Sequence, residues 1–483
     1  MKTDYIINNR KLDEYQLSVI NSNSNTLVIA GAGAGKTFTI QAKIKYLIEE
    51  KLCHEEEILV ISFTNASVND LKLKIKENVN IFTFHKLAIS IIEKNNIEYN
   101  ISSPTILEYI VTEYLKTCSD NMKKNILHFL NISYSYNWFL KSSTFKCFCN
   151  FIIKFINLYK ANNISKEKIN NLKLSFCEKN ILLLIFKIYR LYLSEKNSTN
   201  SMDFDDLIII ATELVYKTNL NYKYIIIDEF QDTSYVRLNL IKKIYKKTNS
   251  KIIVVGDDYQ SIYRFSGCDL NIFLNFKNYF PNVTCIKLLN TYRNSIELIK
   301  IATKFIEKNP LQISKKLCSS KTISNPIILV PYIDKKLTFK KVLDYLINIS
   351  NDIMILSRNN NDIYSYCNKD FSILIDSIIY KSHIIKYYTV HKSKGLEAEY
   401  VILINCNDDY LGFPNKVENN SLIDKLLPSN EILYAEERRL FYVAITRCKK
   451  SVFLIYDKYN PSIFIKETKK IIKKTIHKVS FFK

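Results

Sequence analysis

An apolar run, Thr26-Leu27-Val28-Ile29-Ala30, leads directly into Gly31-Ala32-Gly33-Ala34-Gly35-Lys36-Thr37 and then into a helical pattern. The chain has 7 glycines in 483 residues, and three of them fall within five positions here. Strand, glycine loop and Lys-Thr fit the phosphate-binding template G-x-x-x-x-G-K-[ST], with Ala30 relaxing its first position. In such a loop the backbone from Ala30 to Gly35 wraps phosphate oxygens. Lys36 would neutralise β- and γ-phosphates, and Thr37 would hold Mg²⁺.

Two further strand ends carry groups suited to the same chemistry. Tyr224-Ile225-Ile226-Ile227 delivers Asp228 and Glu229. Asp228 would complete the Mg²⁺ site, while Glu229 would orient and deprotonate a water. Taken alone, the pair also fits an acidic turn after a buried strand; the upstream loop favours catalysis. Val254-Val255-Gly256 leads to Gln260, a neutral group able to meet both a γ-phosphate and water. Tyr263 and Phe265 follow, two aromatics placed for base stacking. In a chain that is 13% aromatic, such residues also commonly pack in cores. Of nine arginines, six lie in the second half: Arg264, Arg293, Arg358, Arg438, Arg439 and Arg447. A planar guanidinium grips phosphate or carboxylate in a way lysine does not reproduce.

These groups need elements to hold them. The first 85 residues alternate strand and helix, with a helix at Thr37–Glu50, a strand at Glu57–Phe63 and a helix at Ala66–Ile75, a parallel α/β pattern. From about Ile89 to Ser201 long helical patterns take over and glycine is absent. Strands return at Tyr222–Ile227 and Lys251–Val255. After Pro281 the sequence predicts strands at Val283–Leu288, Asp352–Leu356, Tyr400–Ile404 and Ser451–Tyr456, with helices at Ser295–Lys308 and Glu436–Arg447. The expected fold is therefore α/β, with two parallel-sheet units. Residues 1–88 and 202–282 form the first unit, 89–201 a helical insertion in it, and 283–483 the second. The second ends in a basic tail whose helix, from Lys466, reads as a solvated face.

Composition sets the outer limits. Hydrophobic content of 47% and charged content of 24% suit a globular chain with real cores. No run of about 18 apolar residues marks a membrane span, and the N-terminus lacks a signal core. Eleven cysteines without a C-x-x-C spacing read as reduced thiols of an intracellular protein. A net charge of +22 suits a polyanionic partner such as nucleic acid. Abundant Lys, Asn and Ile also fit an AT-rich genome, in which surface lysine is common.

The segments in order resemble the superfamily 1 helicases of the UvrD/Rep/PcrA type. The glutamine motif is Leu12-Asp13-Glu14-Tyr15-Gln16. Motif Ia is Ser62-Phe63-Thr64-Asn65-Ala66, and Ib is Thr83-Phe84-His85-Lys86-Leu87-Ala88. Met202–Leu207 resembles the family's return from its insertion. Motif II begins at Asp228, motif III spans Gly256–Gly267, and motif IV is Asn290–Ser295. Motif V is Thr389–Glu397 and motif VI is Glu436–Arg447. The resemblance implies two RecA-like domains, ATP and Mg²⁺ as cofactors, and single-stranded DNA and single-/double-strand junctions as partners. It implies 3′→5′ translocation coupled to unwinding, a place in DNA repair or replication, and a monomer or weak self-association. It assigns Gln16 and Tyr292 to the adenine base and Glu397 to the ribose side. Arg293 and Arg447 become arginine fingers from the second unit. Phe63, Thr64, Thr83, His85, Tyr263, Phe265 and His391 would lie along the strand. By residue type alone, His85 and His391 equally fit ordinary loop histidines, and Arg438 and Arg439 a helix surface paired with Glu436 or Glu437.

Some positions depart from the family pattern. Only 30 residues separate Arg358 from Thr389, where relatives carry a helix-rich accessory domain. Phe38 and Ser266 stand where relatives often have arginine, and Phe265 where they have tryptophan. No fused unit is expected after motif VI. A translocase that strips proteins from DNA, an RNA-directed enzyme and a non-catalytic nucleic-acid-binding protein are the competing readings. Retention of Lys36, Thr37, Asp228, Glu229, Gln260, Arg293 and Arg447 speaks against the last.

Overall fold

The computed structural model describes residues 2–417, 420–427, 431–476 and 480–482. Six segments form the first sheet: Asn25–Ala30 (β1), Ile58–Ser62 (β2), Asn80–Thr83 (β3), Tyr224–Ile227 (β4), Lys251–Gly256 (β5) and Val283–Leu288 (β6). Their order is β6-β1-β5-β4-β2-β3 and every pair is parallel. Strands β1, β2 and β4 are buried along their full length. Helices on both faces make this burial possible, and it explains why these strands read as unbroken apolar runs. Helices Glu14–Asn21 and Lys36–Glu49 cover one face. Helices Phe84–Glu93, Phe204–Leu214 and Tyr235–Thr248 cover the other.

Strand β6 corrects the expected division of the chain. It pairs with β1 from Val283↔Asn25 to Leu288↔Ala30, so it belongs to the first sheet and not the second. Pro281 marks a crossover loop rather than a unit boundary: its carbonyl accepts from Asn25 Nδ2 at 2.7 Å.

Between β3 and β4 the chain leaves the sheet. The exit and return are joined by a short parallel pairing of Asn100–Ile101 with Ser201–Met202. Beyond it, helices Thr105–Thr117, Asp120–Phe129, Ser143–Ala161 and Phe176–Ser198 pack around a separate core that includes Val111, Ile152, Phe155 and Ile185. Ser119, Ser142 and Ser175 start three of them by accepting from the backbone N–H three residues on. At the neck, buried Lys160 and Lys196 both pair with Asp203 and Asp206. Asp203 also caps the Phe204–Leu214 helix.

The second sheet has Ile327–Tyr332 (β7), Ile353–Ser357 (β8), Phe371–Ile373 (β9), Ser377–Tyr380 (β10), His383–Thr389 (β11), Ala398–Leu403 (β12), Cys448–Asp457 (β13) and Ser480–Phe481 (β14). Its order is β9-β10-β11-β8-β12-β13-β7-β14. It is parallel except for the β9-β10-β11 ribbon at one edge. That ribbon takes up most of the stretch between Arg358 and Thr389. The Ile463–Ile476 helix is not simply a solvated face, because Phe464, Ile465 and Ile472 enter the core of this unit.

One element crosses between units. The short helix Ser421–Leu426, from the chain between β12 and β13, places Leu422, Ile423 and Leu426 in the core of the helical insertion. Lys425 pairs with Glu178 there at 2.6 Å. No helix among the described residues is long and apolar enough to cross a membrane.

Candidate active site and aromatic surface

In open parallel sheets, ligands bind beyond the carboxyl ends of the strands. Here a cavity of about 660 Å³ opens at those ends. Gly33 to Thr37 line it from the loop after β1, Glu229 from the end of β4 and Gln260 from the end of β5. Tyr292 and Arg293 come from the turn after β6; Glu397 and Arg447 come from the second sheet's side. Seven lysines or arginines line the wall against two glutamates, a balance suited to polyphosphate. Phe38 is also on the wall. Gln16, Ala30, Gly31, Ala32 and Asp228 are buried and do not line it.

The loop and the turn after β6 are held close. Tyr292 N donates to Gly33 O at 2.9 Å, and Thr291 Oγ1 donates to Ala32 O at 2.7 Å. Gly33 has φ +72°, and a Cβ there would sit 2.6 Å from Arg293 Cβ, so only glycine permits the approach. Arg293 therefore enters from the junction between the two units, not from within the second. Its Nε donates to Glu397 Oε2 at 2.7 Å.

A continuous chain of hydrogen bonds joins the phosphate loop to Arg447. Lys36 Nζ donates to Glu229 Oε1 at 2.5 Å, and Gln231 Nε2 donates to Glu229 Oε2 at 2.6 Å. Gln231 Oε1 accepts from Asp257 N at 3.0 Å. A Cβ on Gly256 would sit 2.6 Å from that same oxygen, which explains glycine at this strand end. Gln260 Nε2 donates to Asp257 Oδ2 at 2.6 Å, and Arg447 Nη2 donates to Gln260 Oε1 at 3.0 Å. Glu229 has φ +51°, a strained conformation for a residue with a side chain and one that clusters at functional sites.

Electrostatics follow from this packing. Burial opposes the Glu229 charge, but Lys36 and Lys394 outweigh it and hold the carboxyl below its ordinary range. Asp228, 7% exposed, moves the other way, through burial and then the Glu229 charge. Arg447, 1% exposed, is lowered to about 9 by burial and by Arg293.

The model of the UvrD/REP helicase N-terminal domain matches residues 12–281, and that of the UvrD-like helicase C-terminal domain matches residues 374–459. The chain belongs to the UvrD/Rep helicase family. It is 26% identical over 491 residues to DNA helicase IV of Escherichia coli (strain K12), covering 94% of this chain and 69% of that one. A probable DNA helicase II homolog of Mycoplasma capricolum is 30% identical over 331 residues, covering 66% and 44%. The ATP-dependent DNA helicase Rep of Buchnera aphidicola subsp. Schizaphis graminum is 28% identical over 461 residues, covering 87% and 64%. Against the last two, the chain spans less than two thirds of the relative.

Within this UvrD/Rep chain, Gln16 and Tyr292 sit at one end of the loop. Gln16 Oε1 accepts from Asp13 N at 3.2 Å, whereas its buried Nε2 has no partner. Tyr292 Oη donates to Asp13 Oδ2 at 2.6 Å while its ring stays 50% exposed. An unpaired donor beside an open aromatic face suits a purine base.

The aromatic residues expected along a strand form a contiguous patch. Phe63 stacks on Tyr263 with centroids 5.7 Å apart. Phe265 lies 6.0 Å from Tyr263 and 5.4 Å from His391. Tyr263 Oη donates to His391 O at 3.1 Å, so the patch joins the two units. Thr64 and Thr83 are helix caps, accepting from Ser67 N and Lys86 N. His85 pairs with Phe204 at 5.1 Å. The sequence reading missed Phe204, Gln231, Asp257 and Lys394. Lys394, in the second unit, pairs with Asp232 and donates to Gln260 O at 2.8 Å. Its place in the Lys392-Ser393-Lys394-Gly395 run was the available signal. Arg438 and Arg439 are buried, not surface groups: Arg438 pairs with Glu467 at 2.6 Å and Arg439 with Glu431.

Proposed function

We propose that this chain is an ATP- and Mg²⁺-dependent motor on single-stranded DNA, moving 3′→5′ and coupling hydrolysis to strand separation at single-/double-strand junctions. The observation that carries this reading is the hydrogen-bond chain from Lys36 to Arg447, which closes one site from both α/β units. Lys36 binds β- and γ-phosphates within the amides of Ala30 to Gly35. A phosphate that draws Lys36 away frees Glu229 to accept a proton from water. Gln260, Arg293 and Arg447 face the terminal phosphate, Gln16 and Tyr292 the adenine, and Glu397 the ribose side. Thr37 and Asp228 offer a hydroxyl and a carboxylate, the sparse oxygen set that suits Mg²⁺ otherwise held by phosphates and water. That ion, when bound, neutralises charge on the phosphates.

A finger from a separate unit, Arg447, makes hydrolysis depend on closure, which a stepping motor requires. Phe63, Tyr263, Phe265 and His391 supply stacking faces at the seam that closure moves, with Thr64, Thr83 and His85 on the adjoining helix starts. The insertion begins later than the expected residue 89, beyond the Asn100–Ile101 and Ser201–Met202 pairing, because Ile91 and Ile92 pack in the first unit's core, and it rides on that unit. The test is phosphate release from ATP with and without single strands. Lys36→Ala or Glu229→Gln is expected to abolish the stimulated rate, and turnover retained in either variant contradicts the mechanism.

A second reading has its own observation. The β9-β10-β11 ribbon, not a helical accessory unit, occupies the stretch after Arg358, which favours a translocase that displaces bound proteins over an efficient unwinding enzyme. Duplexes with 3′ or 5′ single-stranded tails, assayed beside a protein-displacement substrate, separate the two readings and fix polarity.

A further inference from the structure

Lys315 is 1% exposed and lies outside every motif named above. Its Nζ meets Asp257 Oδ1 and Asp258 Oδ1, each at 2.5 Å, above the Tyr259 ring at 3.8 Å. Both carboxylates are closed to solvent. Asp257 is the pivot of the chain that joins the phosphate loop to Arg447. Its Oδ2 holds Gln260 Nε2, which turns the Gln260 carbonyl oxygen toward Arg447. Its N–H holds Gln231, which in turn holds Glu229.

The segment that carries Lys315 follows the helix Ile296–Ile306 and runs along the back of the site. Ile313 N donates to Asp258 Oδ2 at 2.8 Å. The Leu317 side chain covers Gly31. Lys321, on the cavity wall, donates to Tyr292 O at 2.6 Å. Without the Lys315 ammonium, two adjacent carboxylates would face each other away from water. They would separate or take up a proton, and Gln260 would lose its fixed acceptor.

We propose that Lys315 is a positioning residue for γ-phosphate recognition, fixing the Asp257 carboxylate so that Gln260 and Arg447 face the terminal phosphate of the bound triphosphate. This rests on the ATPase reading above. The experiment measures binding of ADP and of a non-hydrolysable ATP analogue, together with strand-stimulated kcat, in wild type and Lys315→Met. ADP affinity is expected to stay within about threefold. The preference for the triphosphate analogue over ADP should disappear, and kcat should fall on the order of a hundredfold to a thousandfold, as for loss of a donor to developing charge. A general packing defect would weaken both nucleotides alike. Wild-type preference and kcat in Lys315→Met overturn the proposal, as does equal weakening of both nucleotides. If Lys315→Met fails to fold, Asp257→Asn, which keeps the shape but turns a donor toward Gln260 Nε2, carries the same test. Its loss of triphosphate preference with ADP binding intact supports the proposal, and retained preference overturns it. A wild type that hydrolyses no ATP removes the ATPase reading itself, and the proposal with it.

Discussion

Single side chains on the aromatic seam make two predictions. Phe265 is 52% exposed and stands where relatives carry tryptophan. Stacking on one base contributes about 1–3 kcal/mol. Phe265→Ala is therefore expected to weaken single-strand stimulation of the ATPase roughly fivefold to a hundredfold, with basal turnover within about twofold. Unchanged stimulation would remove Phe265 from the strand path. His85 and His391 make the second prediction. Burial, helped by Arg237 beside His85 and by Arg358 and Lys394 beside His391, lowers each from 6.5 to about 4. Below 6.5 the unfolded chain takes up these protons first, so the stability contributed by two neutral imidazoles is lost as pH falls from about 6.5 to about 4. Melting temperatures at pH 7.5 and 5.0 check this. A His85→Gln/His391→Gln variant should lose less on acidification than wild type; an equal loss shows that other groups govern it.

Elements explain which features were legible in the sequence. The loop after β1 and the carboxylates after β4 were readable because each is local: a buried strand, then the reactive side chains within a few residues. The placement of β6 was not readable, since a strand's own residues do not name its neighbour, and β6 returns to β1 across some 250 residues of chain. The helix Ser421–Leu426 escaped notice because it is six residues long and its apolar face is satisfied only by the insertion's core. Lys315 gave no signal at all, being one lysine in a lysine-rich chain whose partners lie 57 and 58 positions away. Elsewhere, local patterns carried hidden long-range work. Met202–Leu207 read as a return segment, yet its Asp203 and Asp206 neutralise Lys160 and Lys196 at the neck. Removing one partner from such a buried cluster costs about 3–5 kcal/mol. Lys196→Met should lower the urea midpoint by a corresponding amount, and a variant as stable as wild type would mean that the neck is held by packing alone.

At the scale of the molecule, contacts that tie the units together include the chain from Lys36 to Arg447, the seam from Phe63 to His391, the pairing of Lys394 with Asp232, and the Ser421–Leu426 helix in the insertion's core. On the motor reading proposed above, each spans a boundary that hydrolysis would open and close, so nucleotide state and strand contact would share the same joints. On this reading the site is completed only when Arg447 reaches it from the second unit. Phosphate release by Arg447→Ala, with saturating ATP, Mg²⁺ and single-stranded DNA, tests it most directly. A loss of about 10³-fold or more is expected, with binding of a non-hydrolysable ATP analogue retained, as for removal of an arginine finger. Turnover close to that of wild type would contradict a site shared between the two units.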